Sequence, residues 1–285
     1  MEYVSSRGIL KSCDFHSDKP ISSIRRIAFY PPFVYQEKPI IYICGSAIPH
    51  FRTMMPEFPF ILVTGDCDET MPDEVMNDFD TFISNPNIIH WFSQNMTVNH
   101  PKVTRIPIGL DYHTMATRDI WGPIMSEEKQ ERLLKAIQKK GAPLKERKLM
   151  CYANFQFQMN TIYGYDRIDA LSILRHLVYY EPTKIPRFNT WMNQIEYAFV
   201  ISPHGGGYDC HRLWEALILG CIPIVKTSPI DPLYEGLPVL IVKEWTDITE
   251  ELLQNTVDTF YTSDKISLEK LTLEYWMNKI RSYKL

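Results

Sequence analysis

The chain alternates short apolar runs with amphipathic stretches over most of its 285 residues. Apolar runs of this length are typical of buried strands, and strands that alternate with helices form α/β proteins with mainly parallel sheets. The runs fall into two groups of similar size, so we predict two parallel-sheet domains. The first group is residues 40–45, 58–65, 87–92 and 103–109, and the second is residues 148–155, 197–202, 221–226 and 237–242.

A charged stretch, residues 125–141, separates the two groups and has the pattern of a helix that ends on a glycine. We therefore predict an N-terminal domain over residues 1–141 and a C-terminal domain over residues 142–266. The last segment, residues 267–285, has helical periodicity. We expect it to pack back on the N-terminal domain as a closing helix.

Charge, hydropathy and cysteine content limit the classes of function. The formal net charge is −4 and no basic stripe is visible, which argues against a nucleic-acid partner. No apolar run approaches the roughly 18 residues of a membrane span, and the N-terminus lacks a signal-peptide pattern. The six cysteines are scattered, which favours reduced thiols over a disulfide framework or a zinc site. These features predict a cytoplasmic protein without membrane insertion.

Residues 199–225, FVISPHGGGYDCHRLWEALILGCIPIV, contain three consecutive glycines between two apolar runs. The stretch HRLWEALIL predicts a short helix, so the segment is a βαβ unit with a glycine-rich turn before its helix. Glycine lets backbone N–H groups approach an anion, and a helix N-terminus adds free N–H groups and a positive dipole end. Asp209 is the expected N-cap.

Arg212 and Glu215 lie three residues apart on one side of this helix. A guanidinium in the first turn suits a diphosphate, and a carboxylate one turn further suits the hydroxyls of a ribose. The spacing therefore predicts a nucleoside diphosphate across the helix start. The plain alternative is a tight loop followed by a surface ion pair. The segment has neither the Gly-Lys-Ser/Thr of a Walker loop nor G-x-G-x-x-G.

These residues resemble the C-terminal signature of exostosin-type glycosyltransferases, glycosyltransferase family 47. That signature is a strand, Ser/Cys-Pro, a glycine-containing loop, Arg, two residues, Glu-Ala and Gly-Cys-Ile-Pro. Upstream, CYANFQFQMNTIYGYDRIDAL (residues 151–171) resembles the family's strand–loop–Arg element, with Arg167 as its arginine. The resemblance covers roughly residues 148–250 and is weak over the first half of the chain.

The resemblance implies a two-domain GT-B fold, with a glycan acceptor in the N-terminal domain and a nucleotide-sugar in the C-terminal domain. It implies an inverting transfer from a UDP-sugar without a metal or other cofactor. Arg212 would meet the diphosphate and Glu215 the ribose. The remaining donor-side residues would be His204, Gly205, Gly206, Gly207, Asn154 and Arg167.

Most exostosins carry a membrane anchor, whereas this sequence predicts none. In this respect it is similar to the soluble capsid-glycan glycosyltransferases of large algal viruses. That similarity implies a viral xylosyltransferase in the host cytoplasm.

A second cluster, VTGDCDETMPDE (residues 63–74), places acidic residues at the end of a predicted parallel strand, where α/β sheets carry their sites. An inverting transfer needs a carboxylate as general base, and Asp66, Asp68 and Asp73 are the candidates. Asp-x-Asp is also the metal-binding pattern of GT-A transferases and resembles the nucleophile loop of haloacid-dehalogenase-type phosphatases. An acidic turn before a helix over residues 72–79 is the plain alternative. For the whole chain, a nucleotide- or glycan-binding module without catalysis also stays open.

Overall fold

The computed structural model describes residues 1–27, 29, 31, 34–35, 37–156, 159–262 and 266–285. The chain divides into two compact units. The first unit is Glu2–Ile108, Gly207–Asp209 and Thr272–Leu285, and the second is Gly109–Gly206 and Cys210–Leu271 together with Met1. No described helix is long and apolar enough to cross a membrane.

The first unit contains, among its described residues, a sheet of four parallel strands in the order β1-β2-β3-β4. The strand β2 is buried along its whole length, as expected where both faces of a parallel sheet are covered. The strands are β1 Ile40–Cys44, β2 Phe60–Gly65, β3 Ile88–Ser93 and β4 Val103–Arg105, and the helices are α1 Ser6–Lys11, α2 Ile48–Phe51, α3 Phe79–Ile83 and α10 Leu273–Arg281.

The second unit contains, within the described ranges, a parallel sheet of five strands in the order β6-β5-β7-β8-β9. Its strands are β5 Lys148–Ala153, β6 Val178–Tyr180, β7 Tyr197–Ile201, β8 Ile222–Lys226 and β9 Leu240–Val242. Its helices are α4 Tyr112–Thr117, α5 Glu127–Gln138, α6 Tyr165–Ile173, α7 Arg187–Gln194, α8 His211–Ile218 and α9 Glu250–Thr262. Short 3-10 helices across the two units cover Gly45–Ala47, Arg52–Met54, Leu144–Glu146, Asp231–Tyr234, Trp245–Asp247, Leu268–Leu271 and Ser282–Lys284.

The two parallel sheets confirm the predicted α/β class, and each of the eight predicted runs overlaps a strand. The strand β6 was missed. It is three residues long, lies at the edge of its sheet and is partly exposed, so it lacks the apolar run that marks the buried strands.

The boundary between the units lies after Ile108 rather than after residue 141. The helix α5 belongs to the second unit, because Gln130 donates a hydrogen bond to the carbonyl of Tyr112 and the Tyr112 hydroxyl bonds Glu131. An amphipathic helix reveals its apolar face but not the unit that covers it. At the other end of the chain, α10 lies in the first unit, where the Leu273 N–H donates to the carbonyl of Glu2.

The helix α8 follows the predicted βαβ pattern between β7 and β8. It ends at Ile218, and the positive φ of Gly220, 74°, allows the N–H groups of Gly220 and Cys221 to bond the carbonyls of Leu217 and Ala216. Its start differs from the expectation. The N-cap residue is Cys210, without a capping side chain, and the carboxylate of Asp209 instead accepts the Ile108 N–H at 2.8 Å.

Candidate functional site

The loop that follows β7 is held by two adjacent side chains of α6. Arg167 Nε donates to the carbonyl of His204 at 3.0 Å, and its Nη1 donates to the carbonyl of Gln156 at 2.9 Å. Asp166 accepts the His204 N–H at 2.8 Å and, with its other oxygen, Trp245 Nε1 at 2.8 Å. The guanidinium predicted on the donor side therefore binds two backbone carbonyls and fixes the shape of the glycine loop.

Two glycines of the triplet are required by close packing. A Cβ on Gly205 would lie 2.5 Å from Arg167 Nη2. A Cβ on Gly207, which belongs to the first unit, would lie 2.5 Å from Asn95 Nδ2 and 2.7 Å from the carbonyl oxygen of Asp68. None of the three glycines adopts a positive φ. At Gly205 and Gly207 a side chain would therefore collide with neighbouring atoms. The sequence analysis explained these glycines by the access of backbone N–H groups to an anion and did not predict this packing.

We expect Gly207→Ala to destabilise the first unit by about 1–3 kcal/mol, the usual cost of forcing extra atoms into a packed site. The methyl group would meet the Asp68 carbonyl, which is backbone and cannot rotate away. Denaturant unfolding measures the change. The control is Gly141→Ala, where the nearest atom belongs to a side chain, that of Arg147, and not to the backbone. A midpoint for Gly207→Ala equal to that of the control would contradict this account of the triplet.

Arg212, in the first turn of α8, is partly exposed, and one nitrogen of its guanidinium is buried. The guanidinium carbon lies 4.9 Å from the ring centroid of Phe155, and the Arg167 guanidinium carbon lies 5.7 Å from the same centroid. The buried nitrogen, Arg212 Nη1, has no hydrogen-bond partner among the residues that the structure describes. Burial lowers the pKa of Arg212 to about 10, and the positive charge of Arg167 acts in the same direction. A buried donor without an acceptor is costly, so this position suits an anion.

Glu215 is buried, and Arg187 Nε lies 3.6 Å from its Oε1. Arg187 is in turn bound to Asp111, with Nη2 at 3.1 Å from the carboxylate and Nη1 at 2.7 Å from the carbonyl. Glu215 therefore pairs with Arg187 rather than with Arg212, which excludes the plain alternative of a surface Arg212–Glu215 pair. Arg187 and Asp111 were missed because they lie far from α8 in sequence.

Two further predicted donor-side residues belong to the same unit. His204 is buried, and its Nδ1 lies 3.6 Å from Asp166. Burial lowers the pKa of His204, against the opposing charge of Asp166, so the ring is neutral at pH 7. Asn154 follows β5 and donates from Nδ2 to Thr190 Oγ1 at 2.7 Å. The side chains of Phe155 and Asp166 were also missed, although each adjoins a predicted residue in sequence.

The predicted acidic residues lie in the first unit, after β2. Asp66 has a positive φ of 60°, and its carboxylate is bound by Arg7 at 2.9 Å and by the Ser22 hydroxyl at 2.8 Å. Asp68 and Asp73 are exposed. The expected helix over residues 72–79 does not form, and α3 begins only at Phe79. A catalytic role for Asp66, Asp68 or Asp73 stays a prediction.

The structure thus groups Asn154, Arg167, His204, Gly205, Gly206, Arg212 and Glu215 in the second unit, and Gly207 with the three aspartates in the first. Among the described residues, no group of three or more His, Cys, Asp and Glu side chains is placed to hold a metal ion.

No family model matches the chain, and no curated protein matches it in sequence. Three solved structures are similar to it at low scores. They are the N-terminal domain of Candida albicans trehalose-6-phosphate phosphatase, OtsA in its apo form, and a trehalose-6-phosphate protein from E. coli bound with UDP-2-fluoro glucose. Their TM-scores are 0.44, 0.36 and 0.34 and their identities 11%, 12% and 11%, with 88% of this chain and 72% of each of those chains covered. At such scores nothing is transferred from these proteins to this chain.

Proposed function

We propose that the second unit binds the diphosphate of a nucleotide-sugar at the start of α8. The single observation that supports this most is the buried Nη1 of Arg212, which has no hydrogen-bond partner in the described ranges of the chain. Arg212 lies in the first turn of α8, and the side chain of the N-cap residue, Cys210, forms no capping hydrogen bond. The backbone N–H groups of that turn and the helix dipole therefore favour an anion. A diphosphate would supply the oxygen acceptors that this position lacks.

On this basis we propose that the chain is an inverting GT-B glycosyltransferase that moves a sugar from a UDP-sugar to a glycan hydroxyl. The resemblance of the same residues to exostosins supports sugar transfer. The similarity to the viral xylosyltransferases makes UDP-xylose the first donor to test. In this proposal the first unit holds the acceptor.

The second unit would act chiefly through electrostatics. Arg212 and the helix amides would stabilise the negative charge that grows on the departing diphosphate. Glu215 is paired with Arg187 through one carboxylate oxygen. Its other oxygen would accept a hydrogen bond from a ribose hydroxyl. Asp166 and Arg167 would keep the loop rigid before the donor arrives, which lowers the cost of binding. With the diphosphate charge balanced by side chains and amides, we propose that no metal is needed.

The test is UDP release from UDP-xylose, UDP-glucose and UDP-N-acetylglucosamine, with a mixture of p-nitrophenyl glycosides as acceptors, with and without EDTA. We expect one donor to be turned over equally in both conditions. We also expect UDP to raise the melting temperature, since a ligand at 100 times its Kd adds about 2.7 kcal/mol. Turnover that EDTA abolishes would favour the metal-dependent alternatives. Stabilisation by UDP without turnover would favour a binding module, and no stabilisation would refute the proposed site.

A further inference from the structure

His211, the first residue of α8, has one ring nitrogen anchored and the other available. Its Nδ1 lies 2.7 Å from the carbonyl oxygen of Gly109. Gly109 has a positive φ of 63°, a conformation that glycine adopts readily, and it presents its carbonyl to the ring. Within the described part of the chain, no residue forms a hydrogen bond with the other nitrogen, Nε2. The ring is only partly buried.

The anchor decides the tautomer of the neutral ring. A carbonyl oxygen only accepts, so Nδ1 must carry the hydrogen, and Nε2 then presents a lone pair. A neutral imidazole in this form is a proton acceptor. It is oriented before any ligand binds, because rotation of the ring would break the bond to Gly109.

An ionised carboxylate, that of Asp111, lies near the ring. Asp111 lies close enough to His211 for their charges to interact. Burial alone would raise the pKa of Asp111, but His211, Arg187 and His113 hold it well below its usual range, so this carboxylate is ionised at neutral pH. Its position is fixed, because it caps α4 through Thr114 N–H and binds Arg187. An ionised carboxylate beside an imidazole stabilises the imidazolium.

We propose that His211 is the general base of the transfer, which takes the proton of the acceptor hydroxyl on Nε2. The inference rests on the proposed function, because it assumes that the donor diphosphate lies at Arg212, the next residue. In the step, the acceptor oxygen forms a bond to the anomeric carbon while the bond from that carbon to the phosphate oxygen breaks. UDP leaves with the electron pair, and the imidazolium returns its proton to solvent.

The assignment differs from the carboxylates predicted from the sequence. Asp66 already has one oxygen bound by Arg7 and the other by Ser22. Asp68 and Asp73 are exposed loop residues. His211 instead precedes Arg212 in the first turn of α8, and its Nε2 has no hydrogen-bond partner among the described residues.

The test uses two substitutions that differ in the nitrogen they retain. In His211→Asn the side-chain amide can still donate to Gly109 but nothing remains at the Nε2 position, whereas His211→Gln places a polar group near Nε2 that cannot accept a proton. We expect both to lower kcat for UDP-sugar transfer about 10²–10⁴-fold, the usual contribution of a general base. UDP affinity, measured by calorimetry, should stay within threefold of wild type. The matched control is His176→Asn, an exposed histidine of the same unit.

A pH profile separates proton transfer from a structural role. The titratable groups near His211 include Asp111 and His113. Arg187 is bound to Asp111, and Glu215 lies one turn further along α8. The acid limb of kcat/KM should be present in wild type and in His176→Asn. In the residual activity of His211→Asn it should be absent.

Transfer within threefold of wild type in His211→Asn would overturn the inference, as would a loss of UDP affinity that accounts for the lost rate. Asp68→Asn and Asp73→Asn are measured alongside, and abolished transfer in either, with UDP affinity retained, would return the role to that carboxylate. These outcomes leave the proposed function intact. That function fails separately if wild-type protein neither binds UDP nor releases it from any donor.

Discussion

Arg212→Met should leave the free protein at least as stable as wild type while weakening UDP binding about 10- to 150-fold. The loss corresponds to one charge-assisted contact of about 1.5–3 kcal/mol. The stability expectation follows from the free structure, where Nη1 is buried without a partner among the described residues and the positive charge of Arg167 opposes the contributions of Cys210 and Glu215. Replacing a poorly compensated buried charge by an apolar group of similar volume is often neutral or stabilising. Methionine also retains contact with the ring of Phe155.

Thermal unfolding without ligand and calorimetry with UDP measure the two parts of this prediction. Arg118→Met, an exposed arginine of the same unit, is the control for loss of one positive charge. A variant that loses several degrees of melting temperature but binds UDP as wild type does would show that Arg212 is structural. The proposed diphosphate site would then be wrong.

Arg167→Met should behave in the opposite way and lower the stability of the free protein by about 1–3 kcal/mol. It removes the donors to the carbonyls of His204 and Gln156. Gln156 is exposed, so its carbonyl can bond water, but the buried carbonyl of His204 is left unpaired at a cost of about 1–3 kcal/mol. For a unit of this size the expected fall in melting temperature is about 2–12 °C. UDP binding should weaken as well, because the loop that carries His204 and Gly205 would no longer be held in one conformation.

The two arginine variants together distinguish a ligand-binding guanidinium from a loop-binding one. Arg167→Lys is the informative second variant, since a single ammonium group can reach one carbonyl but not reproduce both bonds. It should recover part of the lost stability. Full stability in Arg167→Met would mean that the two carbonyls find other donors, and the role assigned to Arg167 would be wrong.

The chemical character of the second unit was readable from local sequence. Strands such as β7 and β8 are buried on both faces and therefore appear as continuous apolar runs. The helix α8 lies between them, and Gly220 marks its end because only a residue that tolerates positive φ continues the chain there. Arg212 was also predicted from local sequence, because it follows the glycine-rich loop within a few residues.

The domain boundary could not be read in this way. The pattern of α5 predicts a helix with one apolar face, but it does not show which part of the chain packs against that helix. The hydrogen bonds of α5 with Tyr112 are tertiary contacts, which a local sequence pattern does not predict. The same holds for the difference between Arg167 and Arg212. Both follow a strand and a loop in sequence, and only the carbonyls of His204 and Gln156 assign one of them to the loop.

The sequence by itself determined the alternation of strands and helices, the two parallel sheets and a basic residue at the start of α8. Only the tertiary structure decided which charges meet: Asp111 with Arg187, Arg187 with Glu215, and His211 with the carbonyl of Gly109. The physical reason is range. Strand, turn and helix-end preferences arise between residues a few positions apart, whereas the Arg187–Asp111 and His211–Gly109 contacts join residues 76 and 102 positions apart.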